Sequence, residues 1–259
     1  MPRRAPLAYA CALSESLALP TTAVIVPVFN ETRWLLPCVE RLLRYHAPEQ
    51  LYIVDDGSTD GTDAIVQQLA SARGVRTFVH AANRGKGAAV RTGIAAALEG
   101  KADIVLIHDA DMEYDPADHN LLLAPILDGR ADAVIGSRFI GHTHRVLYYW
   151  HSLANKFISQ ACSVATNLNL TDVECCSKAF RSDLLRGLVL REDRFGIEIE
   201  LIAKAAKSRL ADDRDPARSR RPRIYEVAVS YAGRTFDEGK KIRWTDGVDA
   251  LRCILKYGL

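Results

Sequence analysis

From Thr22 onward, short runs of apolar, β-branched residues alternate with longer stretches whose apolar positions recur every three or four residues. Residues 23–28 (AVIVPV), 51–54 (LYIV), 75–80 and 104–107 (IVLI) read as strands, the first and last of them buried. Between them 35–45, 61–72 and the Ala-rich 87–98 read as helices, with Asp60 or Thr62 suited to cap the second. Strands separated by helices pair in parallel, because parallel neighbours need crossover connections. The expected fold is α/β: a Rossmann-like, doubly wound, mostly parallel sheet in one domain.

The second half is less regular. Residues 131–137 read as a fifth strand and 224–231 (IYEVAVSY) as another. Residues 145–166, 181–190, 198–208 and 244–257 read as helices, the first carrying Tyr148, Tyr149 and Trp150. Residues 210–223 (LADDRDPARSRRPR) lack apolar spacing and are expected to form an exposed, mobile charged loop. Residues 1–20 are expected to be a flexible tail, since their weakly apolar stretch is interrupted by Ser14, Glu15 and Ser16. The domain is therefore expected to span 21–259.

Composition narrows this picture only a little. Of the 259 residues 48% are hydrophobic, enough for a full core. The net charge of +2 gives no ground for a nucleic-acid partner. Six cysteines without a C-x-x-C pair suggest neither a disulfide framework nor a zinc site, and suit a reduced, cytoplasmic protein. No apolar run approaches the roughly 20 residues needed to span a bilayer.

In a doubly wound sheet, ligands sit at the carboxyl ends of the strands. Three acidic groups fall there: Asn30-Glu31, Asp55-Asp56 and Asp109-Asp111. Pro27 would interrupt a central ladder, so it should mark the exit of the first strand. VDDGSTDGT (54–62) offers two carboxylates that can accept from a base or ribose, and then a helix start. In NRGKGAAVR (83–91) two cations open a helix without forming a P-loop, and Arg84 and Lys86 suit a diphosphate. Most informative is IVLIHDADMEYDP (104–116). Residues i and i+2 at a strand end face one way, so Asp109 and Asp111 would repel unless a cation lay between them. Hard oxygen ligands select Mg2+ or Mn2+, which neutralises charge on a departing diphosphate. Any one of these segments could be an ordinary strand–turn–helix junction.

Taken together, VIVPVFNE, VDDGSTDGT, NRGKGAAVRTG and HDADMEYDP resemble, in order and spacing, the inverting family 2 glycosyltransferases. The resemblance continues through GSRF (136–139), HSLANK (151–156), TDVECCSKAFR (171–181) and GRTFDEGKKIRW (233–244), and covers about 22–257. It is nearest to the dolichyl- and polyprenyl-phosphate mannose or glucose synthases. The resemblance implies a GT-A fold, with a nucleotide-sugar and metal half at 21–116 and an acceptor half at 117–259. It places Pro27, Phe29, Glu31, Asp55, Asp56, Lys86, Asp109, Ala110 and Asp111 around the nucleotide sugar, with Asp109 and Asp111 on the metal. Arg138, Arg234, Lys240 and Lys241 would face the acceptor phosphate or the departing diphosphate, so that Asp109, Asp111, Arg138 and Arg234 carry the reaction. The implied donor is GDP-mannose or UDP-glucose. The implied acceptor is a polyprenyl phosphate at the cytoplasmic membrane face, which leaves room for a membrane-anchored partner subunit.

Three departures stand out. Glu113 occupies a position where mannose synthases commonly carry Gln, TDVECCSKAFR replaces a glycine-rich stretch, and 210–223 reads as an insertion. The C-terminal membrane segment of many bacterial relatives is also not found. An anionic acceptor needs cations and no general base. The alternative is a transferase of the same fold acting on a saccharide or protein hydroxyl, for which Glu198, Glu200 or Asp172 would have to serve as base. A remoter alternative is a nucleotide-binding module without catalysis.

Overall fold

The computed structural model describes residues 20–141, 145, 149–234 and 244–258, the side chains of 244–246 excepted. The expected N-terminal tail, His142, His144, Tyr148, Lys240, Lys241 and Arg243 lie outside the described residues.

In chain order, the first half runs β1 (Thr22–Val28), α1 (Leu35–Leu42), β2 (Leu51–Asp55), α2 (Thr62–Arg73), β3 (Arg76–Val79), α3 (Lys86–Glu99) and β4 (Ile104–Ile107). The second half runs α4 (His119–Leu127), β5 (Ala133–Ser137), α5 (Tyr149–Thr166), β6 (Lys178–Arg181), α6 (Ser182–Arg186), α7 (Ile197–Lys207), β7 (Leu210–Ala211), β8 (Ser219–Arg220), β9 (Ile224–Ala228) and α8 (Trp244–Cys253). Seven strands form one sheet in the order β3-β2-β1-β4-β6-β5-β9. β6 runs against both its neighbours and the remaining pairs are parallel, as a doubly wound sheet requires.

Both faces are covered. Leu35, Leu42, Val66 and Leu122 of α1, α2 and α4 pack on one face, and Val90, Ile94, Ile197 and Leu201 of α3 and α7 on the other. A third cluster joins α5, α7 and α8 through Ile158, Cys162, Ile199, Ala250 and Cys253. Strands buried on both faces show up as unbroken apolar runs, which is why β1, β2 and β4 are so plain in the sequence. Pro27 fits inside β1 for a specific reason. Ile25 O accepts from His108 on the β4 side and Val28 O accepts from Asp56 on the β2 side, so odd positions face β4. The β4 pairing stops at Ile25, so the N–H that Pro27 lacks has no partner to lose.

Residues 210–223, expected as an exposed, mobile charged loop, are largely exposed and carry a short hairpin. β7 and β8 pair antiparallel, and Arg220 and Arg223 fasten the hairpin to the buried carboxylate of Asp132. Ion pairs order this segment in place of an apolar face. It lies at the amino ends of β5 and β9, away from the carboxyl ends of the parallel strands.

Candidate active site

The carboxyl ends of β1, β2 and β4 carry Phe29 to Glu31, Asp55-Asp56 and Asp109 to Asp111, and they converge as the topology predicts. The two members of the first acidic pair differ sharply. Asp56 is spent: its oxygens accept from the amides of Arg84 and Gly85 and pair with His80 at 2.6 Å. It thereby fixes the loop that opens α3. That loop needs Gly85, whose φ is +99° and whose Cβ would meet Asp193 O at 2.3 Å. Asp55 accepts from Ser58 through Oδ1 only, and its Oδ2 is buried without a partner.

Lys86, the first residue of α3, reaches Asp109 at 2.8 and 2.9 Å, Cys176 Sγ at 2.9 Å and Glu198 at 3.1 Å. Burial pushes the Asp109 pKa up, but the Lys86 ammonium outweighs it and holds the carboxyl below its ordinary range. Asp111 lacks such relief. Burial, with Asp109 and Glu113 beside it, pushes its pKa up to about 7 even though Arg234 lies 3.0 Å away. Met112, at φ +65°, turns the chain sharply between Asp111 and Glu113. Ala110 is buried beneath them.

Arg234 is brought in from the far end of the chain. It contacts Asp111, Glu113 at 3.3 Å and Glu31 at 3.5 Å, while Tyr231 donates to Glu113 at 2.7 Å. The guanidinium of Arg138 is held elsewhere: Asp172 takes it in a two-pronged pair at 2.6 and 2.7 Å and also accepts from Asn155. Of the four cations expected at an acceptor phosphate, Arg234 is therefore at the acidic cluster, Arg138 is locked to Asp172, and Lys240 and Lys241 fall outside the described residues. Arg145 bonds the carbonyls of Tyr231 and Gly233, joining the segment before α5 to the Arg234 segment.

The three carboxylates considered as bases are all engaged. Asp172 holds Arg138, Glu200 accepts from the amides of Arg191 and Glu192 and pairs with Lys204, and Glu198 pairs with Lys178 and Lys86. Glu174 and Lys178 join the site without any motif that marks them in the sequence. Glu174 has one buried oxygen without a partner, and burial together with Glu198 raises its pKa to about 7. Lys178 at the start of the short strand β6 (KAFR) is buried, and a buried ammonium requires a buried partner.

The residues present fit a divalent cation. Asp111 remains short of positive charge, and the donor set is hard oxygen. Among the described residues no three His, Cys, Asp or Glu side chains converge as a metal cage. Two carboxylates completed by substrate phosphates is the arrangement Mg2+ commonly takes.

The model of the family described as Glycosyl transferase family 2 matches residues 23–189. The chain is 30% identical over 244 residues to an undecaprenyl-phosphate mannosyltransferase of Micrococcus luteus, covering 91% of this chain and 93% of that one. It is 32% identical over 174 residues to a polyprenol monophosphomannose synthase of Mycolicibacterium smegmatis, covering 65% and 64%. Among solved structures, glucosyl-3-phosphoglycerate synthase from Mycobacterium tuberculosis, in complex with Mn2+, UDP and phosphoglyceric acid, superposes with a TM-score of 0.67. It is 20% identical and covers 92% of this chain and 78% of its own, a likeness of fold. The sheet, the order of the acidic motifs along it and the extent of the match agree, and the chain belongs to glycosyl transferase family 2.

Proposed function

We propose that this glycosyltransferase moves a hexose from GDP-mannose or UDP-glucose to a polyprenyl phosphate. The observation that carries the choice of acceptor is the engagement of Asp172, Glu198 and Glu200 in ion pairs. A hydroxyl acceptor must lose a proton, whereas a phosphate arrives as an anion and needs only cations. Asp55 Oδ2 reads the nucleoside, because it is a buried acceptor lacking a donor. Asp109 and Asp111 would hold Mg2+ or Mn2+, which when bound offsets charge on the departing diphosphate. Lys86 and Arg234, already drawn to these carboxylates, bring their own positive charge to the same place.

The names of the relatives support the lipid acceptor, and so does the surface of α5, where Tyr149, Trp150, Phe157 and Val164 are exposed. Aromatic and apolar side chains beside Arg145 suit a peripheral contact with lipid headgroups. Among the described residues no helix is long and apolar enough to cross a membrane. One observation favours the second reading. Glu174, with its unpartnered oxygen and its pKa near 7, is poised as a base for a hydroxyl acceptor.

The test is a panel of nucleotide sugars with Mn2+, each offered to a polyprenyl phosphate and to soluble sugar acceptors. The lipid reading expects product on the phosphate and no dependence of rate on Glu174→Gln. Faster transfer to a hydroxyl, abolished by Glu174→Gln, would replace it with the second reading.

A further inference from the structure

Lys178 opens β6 and is among the largest fully buried side chains of the described residues. It sits opposite Ile107 on one side and Ile135 on the other, among aliphatic neighbours. Taking an ammonium out of water costs several kcal/mol, and replacing a buried ion pair by apolar residues is often neutral or stabilising. Stability alone therefore gives a poor account of a charge at this position.

The partners of Lys178 supply a better one. Its ammonium is bonded to the Cys175 carbonyl and to Glu198 Oε2. The other oxygen, Glu198 Oε1, stands 3.1 Å from Lys86 Nζ without hydrogen-bond geometry. Lys86 in turn grips both oxygens of Asp109. Lys178, Glu198, Lys86 and Asp109 thus form a row of alternating charge at the carboxyl edge of the sheet, passing from its buried side to the open site. The first two members are sealed in, with side chains 0% and 3% exposed, and the last two open to the site at 12% and 18%.

We propose that Lys178 is a positioning residue for the diphosphate of the donor, acting through Glu198 on Lys86. With Lys178 present, Glu198 shares its charge between two ammonium groups and cannot draw Lys86 wholly to itself. Lys86 then keeps its ammonium at the mouth of the site beside Asp109, where a nucleoside diphosphate meets it. Without Lys178, Lys86 is the remaining cation for a buried carboxylate, and it retracts. The inference rests on reading Asp109 and Asp111 as the diphosphate site.

Calorimetric titration with UDP, UMP, GDP and GMP in Mn2+ separates the possibilities without requiring turnover. For whichever base wild type prefers, Lys178→Met should raise the Kd of the diphosphate about tenfold, as for loss of one charge-assisted hydrogen bond. It should leave the monophosphate within twofold. Lys86→Met should do the same, and Lys178→Met added to Lys86→Met should cost nothing more, because the second residue acts through the first. Lys178→Met/Glu198→Gln leaves no buried charge unpaired and removes the carboxylate that would draw Lys86 away, so it should bind the diphosphate within twofold of wild type; a tenfold loss that persists in it would contradict the proposal. Equal losses for mono- and diphosphate, or additive losses in the double variant, would mean that Lys178 only supports the fold. A wild type that binds neither diphosphate would instead overturn the donor-site reading itself.

Discussion

The two ends of the sheet bury carboxylates in opposite ways. At the amino ends of β5 and β9, Asp132 is fully buried among Arg181, Arg220 and Arg223, with Asp213 behind the arginines. Despite its burial, the bonds from Arg220 and Arg223 hold Asp132 far below the ordinary carboxylate range, and the atom left unpartnered there is a donor, Arg220 Nε. At the carboxyl ends, Glu31, Asp109, Asp111, Glu113, Glu174 and Glu198 crowd around Lys86, Lys178 and Arg234. Acceptors are left over at this end: Asp55 Oδ2, Glu174 Oε1 and Glu198 Oε1. The first cluster is complete and pins a hairpin. The second lacks donors and positive charge, which is what a metal-bound nucleotide sugar brings.

Substitutions at the two ends should accordingly fail in different currencies. Asp111→Asn should cut transfer by about a thousandfold, the scale of losing a preorganised electrostatic contact. It should leave the melting temperature unchanged or raised, because it relieves repulsion from Asp109 and Glu113. Asp132→Asn should do the reverse. Urea unfolding should show a loss of about 3 kcal/mol, at the low end for a broken buried ion pair because the Arg223 side chain is 37% exposed, with nucleotide affinity unchanged. A fall in nucleotide binding with Asp132→Asn would blur the contrast between the two ends.

The DD pair sharpens the contrast within a single motif. Asp55→Asn should weaken nucleotide binding about tenfold, by loss of a charge-assisted hydrogen bond. Asp56→Asn should mainly lower stability, since its oxygens serve the Arg84 and Gly85 amides and His80. Titration and thermal melting of both variants would show whether these losses separate.

The smallest expected effect comes from a chain of imidazoles beneath the site. His46 contacts His119 at 2.7 Å and His119 contacts His108 at 3.0 Å. Burial lowers His46 and His108 from 6.5 to about 4 and lowers His119 as well. The unfolded chain takes up protons below about pH 6.5 that the folded protein refuses. Stability is therefore complete above that pH and is lost as pH falls toward 4. At pH 6 the loss should be about 1 kcal/mol for each such histidine. His46→Gln should flatten the decline measured by urea unfolding between pH 7 and 5.

Much of the first half was legible because β1, β2 and β4 are buried on both faces and its helices turn apolar residues inward. β6 was hidden because it begins with Lys178, whose burial makes sense only beside Glu198, 20 residues later. α4 was hidden because HNLLLAPIL is apolar nearly all round and carries Pro125, so it shows no amphipathic stripe. The hairpin 210–223 offers no apolar period, since Asp132 orders it from about 90 residues away. In the site, the acidic motifs mark the strand ends, but the division of labour between Asp55 and Asp56 depends on loops that sequence does not position. The pairing of Arg234 with Glu31 across 203 residues, and the capture of Arg138 by Asp172, belong to the tertiary fold.

The central claim is that the carboxyl edge of the sheet is an acidic site completed by a divalent cation and a nucleoside diphosphate. Electron paramagnetic resonance of Mn2+ tests it most directly, with UDP or GDP titrated into wild type and Asp111→Asn. In wild type, free Mn2+ should fall with protein and diphosphate together by more than the sum of the falls with protein alone and with diphosphate alone, and Asp111→Asn, while remaining folded, should abolish that excess. Equal Mn2+ uptake by Asp111→Asn, or diphosphate binding that excess chelator leaves untouched, would contradict it.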